Sequence, residues 1–527
     1  MKRLWSLLGL LLAAGVLRLP AQEPKAEAAE VPAEFVVAFS PKELTLDPLH
    51  IYTTMESELS TAIYEGLVTY HPFTLEPVPG VAYDWKLSPD KTTYTFFLRE
   101  NARFSNGDPL RAADFRDSWL RILDPEAGAE YSFLFDVIKG ARDYRLGRSR
   151  EVPGIRVQGD HELVVELEKP ASHFLKLLCH TTFVPLHPSY LQRKGWDADP
   201  TLIGNGPFYL YERSPGEIQL KRNQLYWDSS RVELGGVRVR FMEDQQEVSR
   251  GFNKGEIHWS TNWDTELLLD RTKIVFNPLF ATSYFFFVCT QPPWNDARVR
   301  RALALLVPWD KVRSEDTLLP TSRLIPPIPV YPEVKGIQKP DRNEALRLLE
   351  EAGYPGGRGL PPVIFKLPDD EESTRVAAIM AEAWKAELGV EVRAISLPYN
   401  RYLVEVKKGD FTLGAAIWIG DYADPLTFLQ MWTADSNLND AHFVDSEFEA
   451  LIDGSFSLEG KARYDQLGKS EELLLQRAVV LPISHTPAFN LIDLDRVEGW
   501  FPNVLNIHPF KYIRFRTLRV PEGVASR

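Results

Sequence analysis

The apolar run Phe411 to Gly420 (FTLGAAIWIG) stops abruptly at Asp421, within Trp418-Ile419-Gly420-Asp421-Tyr422-Ala423-Asp424-Pro425. Thr412, Leu413, Ala415, Ala416, Ile417 and Ile419 read as a strand buried on both faces, the pattern of a sheet covered by helices. A chain carrying such a strand is constrained to interleave helices with it, and open sheets of this kind place their ligands beyond strand ends. No Lys or Arg lies between Gly409 and Gly460, so Asp421 has no cation close to it in sequence. An ionised carboxylate in an aromatic setting needs a cation from elsewhere, and a ligand ammonium would serve. The same residues also suit a helix N-cap or turn, because Asp-Tyr-Ala-Asp-Pro is rich in turn formers. Taken alone, the local sequence favours the cap.

The two ends and the composition narrow the class. Met1-Lys2-Arg3, the acid-free apolar run Leu4 to Leu17 and Arg18-Leu19-Pro20-Ala21 read as an export signal over residues 1–21, with a polar linker at 22–33. The run is short for a transmembrane helix, and no cysteine follows it for lipid attachment. These features predict a soluble periplasmic protein, with an uncleaved anchor as the lesser alternative. Losing residues 1–21, which hold Lys2, Arg3 and Arg18 and no acid, takes the formal charge from −13 to −16. Such an acidic chain is a poor partner for nucleic acid or an anionic membrane face. Cys179 and Cys289 are the two cysteines of the chain. They are too few for a disulfide framework or a thiolate metal cage, and two buried free thiols are expected, although one pair could form. Roughly 500 mature residues imply two or three lobes.

Strand and helix signals alternate along the chain. Strands are predicted at Phe35 to Phe39, Thr92 to Leu98 and Phe208 to Tyr211, and a hairpin at Ile155 to Val157 with Leu163 to Leu167 around Gly159-Asp160. Helices are predicted at Met55 to Glu65, Arg111 to Ile122, Ala297 to Leu306, Arg342 to Ala352, Ser373 to Leu388 and Ala462 to Gln476. The fold class is therefore α/β, with mixed α+β lobes. Catalytic signatures are missing: there is no GxSxG, HExxH, P-loop or HxE…CxxC set. His180 and His187 lack metal-ligand spacing and read as surface or core positions. No enzyme, metal or cofactor is expected, and a binding protein is.

Several segments, taken in order, resemble the periplasmic oligopeptide-binding proteins, the family 5 extracellular solute-binding receptors of peptide ABC transporters. Tyr64-Glu65-Gly66-Leu67 comes first, then Trp85 with Leu87-Ser88-Pro89-Asp90, Tyr94-Thr95-Phe96-Phe97-Leu98-Arg99, Phe104-Ser105-Asn106-Gly107-Asp108-Pro109 and Asp114-Phe115. Leu123-Asp124-Pro125, Gly140-Ala141, Asn205-Gly206-Pro207-Phe208, Pro292-Pro293-Trp294-Asn295-Asp296, Val299-Arg300-Arg301-Ala302-Leu303 and Ala352-Gly353-Tyr354 follow in family order. The resemblance implies a three-lobed, type II-like periplasmic binding protein with a ligand cleft. Lobe I would comprise 34–66, 190–280 and a return at 490–527 that includes the C-terminal tail, lobe II 67–189, and lobe III 281–489. The lobes would close over an extended peptide held by its main chain, as a monomer that docks on membrane permease subunits with their ATPases.

By the same resemblance Asp421 holds the peptide's α-ammonium, Trp418 precedes it, and Ile417 and Ile419 offer strand amides and carbonyls. Tyr131 and Tyr399 match aromatic cleft positions, Asn262 a polar one, and Tyr52, Thr53 and Thr54 the segment on the other side of the peptide. The family match reverses the local preference for Asp421 as a cap. Departures are equally specific. Ser373, Val406 and Ala415 replace basic residues that catch a ligand carboxylate in a well-known member, with Lys407, Lys408 and Arg375 nearby but out of register. Ala281 and Ile419 replace that member's disulfide. Peptide length is therefore open, and a nickel chelate, haem or oligosaccharide ligand remains an alternative. So do a sensor or chaperone role and a cleft hydrolase using Asp421 and Asp424 as an acid–base pair.

Overall fold

The computed structural model describes residues 34–41, 44–314 and 317–516. The expected export signal and linker fall outside the described residues. Ten strands form one sheet, in the order Val392–Leu397, Val363–Pro368, Leu413–Ile419, Ile274–Phe287, Val480–Ile492, Trp259–Ser260, Glu34–Phe39, Gly236–Phe241, Glu217–Arg222 and Phe208–Ser214. Two long antiparallel strands, Ile274–Phe287 and Val480–Ile492, join its two halves. Their register shifts between Pro278 and Thr282, just where Pro278 faces Pro487. Proline has no N–H to give, so the ladder is interrupted at the junction between the halves.

A second, four-stranded antiparallel sheet runs Ala82–Leu87, Thr93–Leu98, Glu162–Glu166, Ile155–Val157. The expected hairpin pairs Val157 with Leu163, and Gly159 supplies the positive φ of 70° that its turn requires. Helix Ala112–Leu123 lays Phe115, Trp119 and Ile122 on this sheet, and Trp119 Nε1 donates to Phe183 O at 2.9 Å. The predicted helices appear as Thr54–Ile63, Ala297–Leu305, Arg342–Glu351, Glu371–Leu388 and Gly460–Gln476. Side-chain caps set several of their starts: Thr53 and Glu56 form a capping box, and Asp370 accepts from Ser373 N at 2.8 Å.

The motif segments meet one another. Glu65 N donates to Asn205 Oδ1 at 3.1 Å and Asn205 Nδ2 returns to Glu65 O at 2.8 Å. A Cβ on Gly206 would stand 2.5 Å from the carbonyl carbon of Ile63, so this close backbone approach demands glycine. Glu65 is also bound by Lys511 Nζ at 2.9 Å, by Tyr226 OH and by Trp227 Nε1. Tyr64-Glu65-Gly66 and Asn205-Gly206-Pro207, far apart in sequence, thus lock together. One apolar cluster joins Phe96, Trp119 and Tyr131 of the small-sheet unit to Tyr284 and Trp418 of the large sheet and to Trp432 in the turn of 3-10 helix at Gln430–Trp432. Both cysteines are free thiols and each is partly buried rather than fully so. No helix among the described residues is long and apolar enough to cross a membrane.

Candidate functional site

Strand Leu413–Ile419 is buried at its start but not at its end, where Ile417 is 53% exposed. The expectation of burial on both faces fails there because the strand runs out of its helical cover into a cleft. The register of the strand explains what it presents. Val288 N donates to Thr412 O and Gly420 N to Phe280 O, so the even-numbered residues face strand Ile274–Phe287. The main-chain groups of Ala415, Ile417 and Ile419 therefore face the opposite edge. On that edge strand Val363–Pro368 pairs with Leu413 and Gly414 only. At Ala415 the hydroxyl of Tyr402 takes over, accepting from the amide at 3.1 Å and donating to the carbonyl at 2.7 Å. Beyond it the edge of Ile417 and Ile419 is open to the cavity.

The cavity encloses about 170 Å³ and is lined by nine of the ten expected residues: Tyr52, Thr53, Thr54, Tyr131, Tyr399, Ile417, Trp418, Ile419 and Asp421. The Tyr52 and Tyr131 rings lie tilted at 36° with centroids 6.2 Å apart. Both main-chain groups of Thr53 serve the helix start, the amide donating to Glu56 Oε2 at 2.9 Å and the carbonyl accepting from Ser57 N at 3.0 Å, so Thr53 lines the cavity with those groups already paired. Asn262 is the exception. Its amide oxygen accepts from Gln245 Nε2 at 2.8 Å and its nitrogen donates to Met242 O at 3.5 Å, which fixes a loop outside the cavity wall. Sequence reasoning missed Tyr70, Cys179, His180 and Thr181, which line the wall opposite strand Leu413–Ile419. They come from the small-sheet unit, and no local pattern announces which of its residues will face a strand more than two hundred positions away.

Asp421 sits at the end of the open edge with its side chain 9% exposed. Its amide donates to Thr427 Oγ1 at 3.0 Å, its Oδ2 accepts from the same hydroxyl at 3.2 Å, and its carbonyl accepts from Tyr70 OH at 3.1 Å. Burial pushes its carboxyl up to about 7, against hydrogen bonds from Tyr131 and Thr427, and no Lys or Arg contributes. His180 Nε2 lies 4.0 Å from Asp421 Oδ1. Its Nδ1 accepts from Thr182 N at 3.3 Å, which leaves the proton on Nε2, and burial lowers the imidazole to about 3. His180 is thus a neutral neighbour and not a counter-ion.

Asp424, three residues on, has a different fate. Arg463 grips it with Nη1 to Oδ2 at 2.7 Å and Nη2 to Oδ1 at 2.9 Å, deep in the protein. Burial alone would raise this carboxyl, but Arg463 outweighs it and holds the group below its ordinary value. Asp424 does not line the cavity, so it makes no acid–base pair with Asp421. The substituted carboxylate positions are also placed: Val406 and Ala415 are each 3% exposed in the core, and Ser373 begins a helix. Lys407 pairs with Asp440 at 2.8 Å, Lys408 with Glu405 at 2.7 Å, and Arg375 donates to Thr317 Oγ1 at 3.1 Å. No Lys or Arg is among the described residues that line the cavity.

A family model described as bacterial extracellular solute-binding proteins, family 5 Middle, matches residues 76–440. The periplasmic oligopeptide-binding protein OppA of Salmonella typhimurium is 31% identical, over 97% of this chain and 98% of that protein. This chain belongs to the family 5 bacterial extracellular solute-binding proteins. Within the family, the structure of the Escherichia coli murein tripeptide binding protein MppA matches with a TM-score of 0.81 at 26% identity, covering 92% of this chain and 98% of that one. The unliganded open form of the same protein matches with a TM-score of only 0.65. The lobes of this family 5 protein therefore stand in an arrangement distinct from that open form. The fold is the type II periplasmic-binding-protein arrangement of mixed α/β lobes around a cleft that the sequence implied.

Proposed function

We propose that this chain captures extended peptides by their amino end in the extracytoplasmic space and delivers them to an ABC importer. The observation that carries the reading is an open strand edge, Ile417 and Ile419, that ends on a buried carboxylate lacking any protein cation. Such an edge pairs with a ligand main chain by strand addition, and the carboxylate pairs with its α-ammonium. The Salmonella relative is named for oligopeptide binding and the Escherichia coli one for a murein tripeptide. With no basic residue in the cavity wall, the carboxyl end is left to water, so C-terminal amidation costs little. We assign lobe I to 34–66, 190–280 and 490–516, lobe II to 67–189 and lobe III to 281–489, which keeps the small sheet in one lobe. The receptor works as a secreted monomer, docks on permease subunits and performs no chemistry of its own.

Calorimetry tests the anchor with trialanine and N-acetyl-trialanine against wild type and Asp421→Ala. Removing one partner of a buried, hydrogen-bonded ion pair costs about 2–5 kcal/mol, so either change alone should weaken binding by roughly thirty-fold or more. Both together should cost much less than the sum. Additive losses would place the ammonium elsewhere. An unchanged affinity with stability lowered by about 1 kcal/mol would make Asp421 a cap.

A further inference from the structure

A second cavity of about 190 Å³ adjoins the first, and Thr53 and Thr54 belong to the walls of both. Its floor includes Glu58, four residues beyond Thr54 and so on the same face of helix Thr54–Ile63. Glu58 is 2% exposed. One carboxyl oxygen accepts from His508 N at 3.0 Å, and the other has no partner. Among the described residues no other buried carboxyl oxygen is left in this state. Among the other buried acids, Glu65 is served by Lys511, Asp424 by Arg463, Asp47 by Arg121, and Glu471 by two amides and Tyr331. Glu58 has no such cation, and His508 beside it is kept neutral, since burial lowers its imidazole to about 3.

The walls are of a different kind. Phe39, Met55 and Trp259 give the pocket an apolar side, and Trp259 is fixed in place by Nε1 donating to Asn490 Oδ1 at 2.9 Å. An apolar and aromatic throat above an unmatched carboxyl suits a side chain with a long methylene stem and a cationic head, which buries the stem and brings the charge to the acid. We infer that this pocket takes a lysine or arginine side chain of the bound peptide, its stem on Phe39, Met55 and Trp259 and its cation on the free oxygen of Glu58. The inference rests on the peptide reading above and adds a side-chain preference to it.

The test uses trialanine and tetra-alanine, each with lysine or its uncharged counterpart norleucine placed at one position at a time, titrated calorimetrically. In the wild type, lysine should bind about tenfold or more tightly than norleucine at one position. The preference should vanish in Glu58→Gln, which still accepts from His508 N, while the all-alanine peptides bind both proteins alike. Met55→Trp, which narrows the throat without touching Glu58, should also abolish it, so the outcome does not depend on one variant folding. Equal binding of lysine and norleucine peptides at every position, or a preference that survives both substitutions, overturns the pocket assignment while the peptide reading stands. If no alanine peptide binds the wild type at all, both fall.

Discussion

The carboxyl of Asp421 is poised near neutrality, raised by burial from 3.8 to about 7 with no protein cation to pull it back. Two opposite pH effects follow from that value. Between 3.8 and about 7 the folded chain binds more protons at this site than the unfolded one does. The stability contributed by the group is therefore greatest at acid pH and is lost as pH rises through about 7. Ligand affinity runs the other way, because an ammonium needs the ionised form. Trialanine affinity should fall about tenfold per unit below pH 7, with up to one proton released per ligand near pH 6 in buffers of different ionisation heat. His180, held near 3, does not titrate in that window. Asp421→Asn should bind weakly with a flat profile between pH 5.5 and 7.5, and a slope that persists in this variant would assign the proton to another group.

At the scale of the element, the turn after strand Leu413–Ile419 is anchored to helix Gly460–Gln476 by Asp424 and Arg463. Cutting one partner from a buried bidentate pair strands the other charge, so Arg463→Met should destabilise the fold by about 3–5 kcal/mol. Replacing both, as Asp424→Leu with Arg463→Met, should recover much of that loss; denaturant unfolding of the three proteins reads the difference. Nothing local distinguishes these two aspartates, three residues apart, in sequence. Both sat in a stretch without Lys or Arg, and Arg463 lies just past its end at Gly460. Strand and helix positions were legible because apolar periodicity and turn residues are local, as at helix Ala112–Leu123 and the Gly159 hairpin. The family resemblance, rather than local pattern, brought together nine of ten expected residues that line one cavity. Asn262 was lost because its loop turns the side chain toward Gln245. The wall made by Tyr70, His180 and Thr181 was invisible because it depends on how two distant units pack.

For the whole molecule, the small-sheet unit is tied to the large-sheet unit by polar contacts away from the cavity. Arg142 Nε donates to Asp435 at 3.0 Å, Lys169 pairs with Asp453, and Asn437 Nδ2 reaches Ala129 O at 2.8 Å. The two ion pairs lie at the surface and each contributes about 0–1 kcal/mol, so they bias closure without fixing it. Arg142→Ala with Lys169→Ala should weaken trialanine binding by less than about tenfold, acting through the population of the closed form and well short of the Asp421→Ala loss. Small-angle scattering should show a smaller radius of gyration with saturating trialanine than without. An unchanged profile would remove hinge closure from the mechanism.

The hydroxyl of Tyr402 is where this molecule stops counting. It closes both main-chain groups of Ala415, so in the binding mode proposed above two strand positions, Ile417 and Ile419, remain to read a ligand that begins at Asp421. Successive positions on one strand edge lie about 6.6 Å apart, so the gripped part of a peptide is its first few residues and the remainder passes unread. A receptor built this way registers beginnings rather than endings. Every cut that any protease makes in a longer chain creates one new free amino terminus, and each such terminus is a fresh entry ticket whatever the residues that follow.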